Sequence, residues 1–152
     1  MIKSMESNFK IIIDTREQEP YIFDDSIIQV KQALAAGDYS LEGFENKVAV
    51  ERKSLQDFIG TIIKGRKRFY KELNKLKTYD AACVVVEANY RDIICGSYRS
   101  EANPNSIIGT IATIIIDFGV PIYFCSDRQA AGRFTKEFLV KYYKSKEKIW
   151  KK

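Results

Sequence analysis

Between Gly37 and Lys53, two stretches that alternate polar and apolar residues flank a turn at Gly43-Phe44-Glu45-Asn46, and a hairpin folded there has little freedom of register. With the turn centred between Phe44 and Glu45, Tyr39 falls opposite Val50 and Leu41 opposite Val48, which places four apolar residues on one face. The other face sets Asp38 across from Glu51. Because side chains alternate along a strand, Lys53 shares the face of Glu51 while Arg52 points the other way. One end of the hairpin therefore gathers an Asp, a Glu and a Lys.

The remaining apolar patterns supply the elements around it. Phe9-Lys10-Ile11-Ile12-Ile13 reads as a buried strand that delivers Asp14-Thr15-Arg16-Glu17 at its C-terminal end. Ile27 to Ala36 reads as a strand on the alternation of Ile28, Val30, Gln32 and Leu34, although Lys31 to Ala36 has helix propensity. Ser54 is a natural N-cap for a helix with Phe58, Ile59, Ile62 and Ile63 on one stripe, and Phe69, Leu73 and Leu76 space a second. Ala82 to Val86 is a continuous apolar run of buried-strand length, ending on Glu87. Asn103-Pro104-Asn105-Ser106 opens a helix carrying Ile107, Ile108, Ile111, Ile114, Ile115 and Phe118 as core, and Gly119 stops it. Val120 to Cys125 reads as a strand, and Ser126 or Asp127 caps a last helix through Phe134, Phe138, Leu139 and Tyr142. The pattern predicts an α/β domain: a mixed central sheet with an early hairpin and helices on both faces. Gly96 to Asn105 is the most loop-like stretch, with Tyr98, Arg99 and Asn103 placed to touch a ligand.

A chain of 152 residues, 45% hydrophobic, suffices for one domain that buries about 70% of its unfolded surface. We read residues 1–8 as an N-terminal extension, 9–144 as the domain and 145–152 as a basic tail. There is no histidine, which excludes Ser-His-Asp and Cys-His nucleophile systems, HExxH zinc proteases and His-ligated iron. Cys83, Cys95 and Cys125 show no CxxC spacing and read as buried thiols of a reducing compartment. With no apolar run of about 18 residues and no signal-peptide pattern, a cytoplasmic location and no membrane partner are expected. The net charge of +5 is modest, but Lys64-Gly65-Arg66-Lys67-Arg68 packs four cations into five residues. Such runs are more often a solvated face than a binding site.

Asp38 and Glu51 opposite each other cost stability unless something neutralises them, and a divalent cation does so. With oxygen ligands alone the ion would be hard, Mg²⁺ or Mn²⁺ in its place. An open carboxylate-held ion beside an ammonium group suits phosphodiester hydrolysis. From spacing alone, a surface charge cluster fits equally well.

The surrounding residues shift that balance. Val48-Ala49-Val50-Glu51-Arg52-Lys53-Ser54-Leu55-Gln56-Asp57, preceded by Gly37-Asp38, resembles the GD…ERKxxxD signature of the XPF-type structure-specific DNA endonucleases. Asp14 to Glu17, Gly65 to Glu72 and the stretch from Ile107 to Phe134 resemble further segments of that domain. The resemblance implies a restriction-endonuclease-like three-layer fold and Mg²⁺-dependent cleavage of branched, flapped or nicked DNA. On it, Asp38 and Glu51 match metal ligands, Lys53 the catalytic lysine, and Asp14 a further acidic residue of the active site and metal set. Glu17, Arg52 and Asp57 match supporting positions. Asp57 also sits where a capping-box acid would, three residues after Ser54. Arg52, on the far face, is placed to brace the site through Glu17 or Asp57. The family commonly adds a tandem helix-hairpin-helix module, and this chain ends before one. DNA contact is then expected from Lys64, Arg66, Lys67, Arg68, Arg99, the basic tail or another subunit, either a homodimer partner through the last two helices or a separate DNA-binding chain. Two other classes stay open: a catalytically silent partner subunit, and a small-molecule phosphoryl enzyme, for which no GxxxxGK[ST] loop is present.

Overall fold

A computed structural model describes residues 9–150. The chain begins with β1 (Lys10–Ile13), β2 (Ile28–Lys31), β3 (Tyr39–Leu41) and β4 (Val48–Ser54), followed by α1 (Leu55–Ile63) and α2 (Arg66–Leu76). Then come β5 (Ala81–Glu87), α3 (Tyr90–Ile94), α4 (Pro104–Phe118), β6 (Ile122–Phe124) and α5 (Arg128–Trp150). The six strands form one sheet in the order β2-β1-β3-β4-β5-β6. β3 is antiparallel to both β1 and β4, and the other neighbours are parallel. Parallel neighbours need long crossovers. Here α1 and α2 carry the chain from β4 to β5, and α3 and α4 carry it from β5 to β6.

The hairpin takes the register its sequence dictates, with Tyr39 opposite Val50. Tyr39, Leu41, Val48 and Val50 bury together against Ala131, Leu139 and Tyr142 of α5, with Tyr21 and Phe23 from the loop after β1. The opposite face, through Ala49, Val84 and Val86, packs on Phe58 of α1, Leu73 of α2 and Ile107 and Ile114 of α4. β5 alternates between the two clusters, Cys83 and Val85 on one side and Val84 and Val86 on the other. That is why its sequence is apolar throughout: both faces are covered. The result is a three-layer mixed α/β fold.

Several expectations need correction. Only Ile28–Lys31 of the 27–36 stretch is strand, at the sheet edge, and Ile28 is exposed. Beyond it the backbone leaves the ladder because the Leu34 N–H is taken by the Asp14 side chain. Cys83 is buried, but Cys125 is half-buried and Cys95 is exposed at the C-cap of α3, a short helix the pattern did not predict. α4 runs from an Asn103 cap to Gly119 at φ +64° as expected, yet only part of its apolar surface is core. Ile107, Ile111 and Ile114 are buried, while Ile115 and Ile116 face outward, since a helix apolar on all sides has only one side against the sheet. Asp127 caps the last helix through the Ala130 N–H at 2.8 Å, and that helix runs on into the stretch read as a tail. Residues 1–8, read as an extension, lie outside the described residues. Among the described residues, no helix is long and apolar enough to cross a membrane.

Candidate active site

The Asp38 side of the site starts from its neighbour. Gly37 sits at φ +80°, and a Cβ there would lie 2.8 Å from that of Ala49, so both conformation and space require glycine. The chain then enters β3 with the Asp38 N–H on the Val50 carbonyl at 2.8 Å, while the Asp38 carbonyl accepts from the Asp14 N–H at 2.9 Å. The Asp38 carboxylate takes the Arg52 backbone N–H at 2.8 Å. Glu51 is buried in β4 on the same face. Lys53, two residues on, places its Nζ 3.5 Å from Glu51 Oε1 and 5.5 Å from the Phe69 ring centroid. The strand-parity argument is thus realised in three dimensions.

Burial pushes the Asp38 carboxyl up to about 6, reinforced by the charge of Glu17 and opposed by the Arg52 N–H and Lys53. Glu51 is held well above the usual carboxylate range, first by burial and then by the charge of Asp38. The two carboxyls face each other closely enough that each acts on the other's proton affinity.

These residues open into a cleft of about 600 Å³ lined by five carboxylates, Asp14, Asp38, Glu51, Asp57 and Glu72, against three cations, Arg16, Lys53 and Arg68. That excess, with Glu51 buried beside Asp38, is the environment a hard divalent cation relieves, and the all-oxygen donors suit Mg²⁺ or Mn²⁺. The chain therefore fits the ion through Asp38 and Glu51. Asp14 is buried in the same cleft, but its Oδ1 accepts from Leu34 N at 2.9 Å and its Oδ2 from Arg16 Nε at 2.8 Å. Among the described residues no group of three or more such ligands is close enough to hold an ion, and both Asp14 oxygens already accept hydrogen bonds.

Arg52 turns to the far face, as its parity requires. Its Nε donates to Glu87 Oε2 at 2.9 Å, its Nη1 to Glu17 at 3.2 Å, and its guanidinium lies over the Tyr21 ring at 5.1 Å. Tyr21 itself donates to Glu87 at 2.7 Å. Glu17 is the partner that sequence suggested; the second partner is Glu87 rather than Asp57. Asp57 donates its backbone N–H to Ser54 Oγ at 3.2 Å at the start of α1 and lines the cleft with its side chain. Of the five cations expected to meet DNA, Arg68 lines the cleft. Arg66 instead donates to the Ile62 carbonyl and Thr110 Oγ1. Lys64, Lys67 and Arg99 are exposed, and the Arg99 backbone N–H bonds Gln56. Tyr98 donates to the Ala102 carbonyl and Asn103 caps α4, so both have structural work.

Four participants escaped the sequence reading: Arg16, Glu72, Glu87 and Tyr21. Glu72 does carry a local signal, four residues after Arg68 and three after Phe69 on one helix face.

Comparison with known proteins gives the family and supports the fold. Residues 13–138 match the model of the ERCC4 domain. The chain belongs to the ERCC4 domain family. The ERCC4 match spans every cleft residue named above. The chain is also 34% identical over 134 residues to a Methanocaldococcus jannaschii protein named "Putative ATP-dependent RNA helicase MJ1505", covering 87% of this chain and 15% of that protein. Two solved structures of XPF from Aeropyrum pernix share the fold at 19% identity. One has a TM-score of 0.69 and covers 86% of this chain and 59% of its own. The other, a complex with DNA, has a TM-score of 0.68 and covers 90% and 66%. The ERCC4 domain described here thus spans a small part of the helicase-named relative and under two thirds of either XPF chain.

Proposed function

We propose that this chain is a Mg²⁺-dependent endodeoxyribonuclease domain, with Mn²⁺ able to substitute, that hydrolyses phosphodiester bonds in branched, flapped or nicked DNA. The observation that carries the reading is the Asp38–Glu51 pair in the cleft with the Lys53 ammonium 3.5 Å from Glu51. Membership of the ERCC4 family and the DNA complex of the XPF structure support it.

Asp38 and Glu51 would hold the ion, which supplies charge neutralisation at a phosphate oxygen and an activated water. Lys53, kept in place by Glu51 on one side and the Phe69 ring on the other, offers its remaining donors to the water or to the charge developing on the phosphate. Asp14 orients Arg16, whose exposed guanidinium stands at the cleft as a phosphate contact. Arg52 ties β4 to β5 and to the loop after β1, so the strand bearing Glu51 and Lys53 cannot shift. Contacts to DNA are to its backbone, with Arg68 at the cleft and Lys64 and Lys67 beside it.

Labelled flap, fork and nicked duplexes test this directly. Cleavage in Mg²⁺ should leave 5′-phosphate and 3′-hydroxyl ends and stop in EDTA. Glu51→Gln and Lys53→Ala should each lower the rate by at least about 10²-fold with the fold intact. Equal cutting in EDTA or by the Glu51 variant would refute the mechanism. Saturable DNA binding without nicking of any substrate would make the chain a silent partner subunit instead.

A further inference from the structure

We infer that Glu72 is a positioning residue for the metal pair, holding Asp38 through the backbone of Gly37; this rests on the reading of the cleft given above. Glu72 lies on α2, 34 residues beyond Asp38, yet lines the same cleft. Its Oε1 accepts the Gly37 N–H at 2.9 Å. That bond falls where the sheet ladder gives out: the next N–H, of Asp38, pairs with Val50, but Gly37 has turned to φ +80°. Gly37 carries no side chain, and the Ala49 Cβ leaves no room for one. The Glu72 carboxylate therefore substitutes for the missing strand partner and fixes the Ala36–Gly37 peptide, the unit immediately before the one that leads into Asp38. A carboxylate acceptor makes this one of the stronger hydrogen-bond types.

The same helix face also carries Phe69, the ring beneath Lys53, so α2 supports the site at both the Asp38 and the Lys53 ends. Glu72 has an electrostatic cost as well: its charge raises the proton affinity of Glu51 while stabilising Arg16. Hydrogen bond and charge are separable, because glutamine keeps the acceptor and loses the charge.

The experiment measures Mn²⁺ binding to the DNA-free protein by the electron paramagnetic resonance of free Mn²⁺, with circular dichroism as the check on folding. Asp38→Asn is the control and should lose Mn²⁺ binding. Glu72→Ala should bind Mn²⁺ about tenfold more weakly with an unchanged spectrum, the usual effect of removing a residue that orients a ligand. Glu72→Gln should restore wild-type affinity. If Glu72→Ala binds as wild type does while Asp38→Asn does not, the role of Glu72 is overturned and the reading of the cleft stands. If Asp38→Asn binds normally, that reading fails. If Glu72→Ala does not fold, the glutamine variant decides: folded with wild-type affinity, it supports the hydrogen-bond role, and folded with weakened affinity, it overturns it.

Discussion

Asp38 and Glu51 are unstable neighbours by design of the strand register, and their protonation gives the site a measurable pH signature. The Asp38 carboxyl is pushed up to about 6, mostly by burial, and Glu51 is raised too. A carboxyl with a folded pKa above its unfolded one binds its proton more tightly in the native state. Its contribution to stability is complete below the ordinary carboxylate pKa and is lost as pH rises through about 6. Urea titrations of metal-free protein between pH 4 and pH 7.5 should therefore show wild type losing stability relative to Asp38→Asn. The difference should be on the order of 3 kcal/mol. Saturating Mg²⁺ should abolish that loss. Parallel pH profiles for the two proteins without metal would contradict the raised pKa. Much of this was legible from sequence, because the turn at Gly43 to Asn46 and the two-residue period of a strand suffice to oppose Asp38 to Glu51 and to separate Lys53 from Arg52. Glu72 and Glu87 were not, since each reaches the hairpin from another element and only tertiary packing brings them there.

At the scale of elements, the start of α2 shows how a charge run can divide its labour. Arg66 donates to the Ile62 carbonyl at 3.3 Å and to Thr110 Oγ1 at 3.1 Å, joining the end of α1 to α4, whereas Arg68 two residues later lines the cleft. The sequence places both among four cations in five residues, and nothing local distinguishes them; the direction of each depends on where α4 lies. Arg66→Ala should lower stability by about 1–2 kcal/mol through its two lost hydrogen bonds, with little change in the salt dependence of DNA binding. Arg68→Ala should leave the melting temperature unchanged, weaken DNA binding across sequences and reduce the slope of log K against log salt by about 1. Thermal melts and fluorescence anisotropy in a potassium chloride series distinguish the two. A loss of salt slope in the Arg66 variant, with melting intact, would reverse the assignment.

On the scale of the whole molecule, the sheet closes one edge with little protection. β6 is the last strand of the order, and it presents Tyr123 at 40% exposure. Tyr123 packs on Phe134 of α5 with ring centroids 4.8 Å apart, and Phe134 reaches Phe138 at 6.2 Å. On α4, which leads through Gly119 into β6, Ile115 and Ile116 also point outward, Ile116 at 79% exposure. Exposed strand edges and exposed large apolar side chains are what folded chains often cover. The active-site cleft lies on the hairpin and its flanking helices, so these residues can meet a partner without touching it. A second copy joined here would double the cationic surface offered to DNA. Sedimentation of the purified chain should return twice its 17.5 kDa mass, and Ile116→Asp should return the single mass with the Mg²⁺ affinity of the cleft unchanged. A wild-type protein that sediments as a monomer at micromolar concentration would leave this face to a different chain.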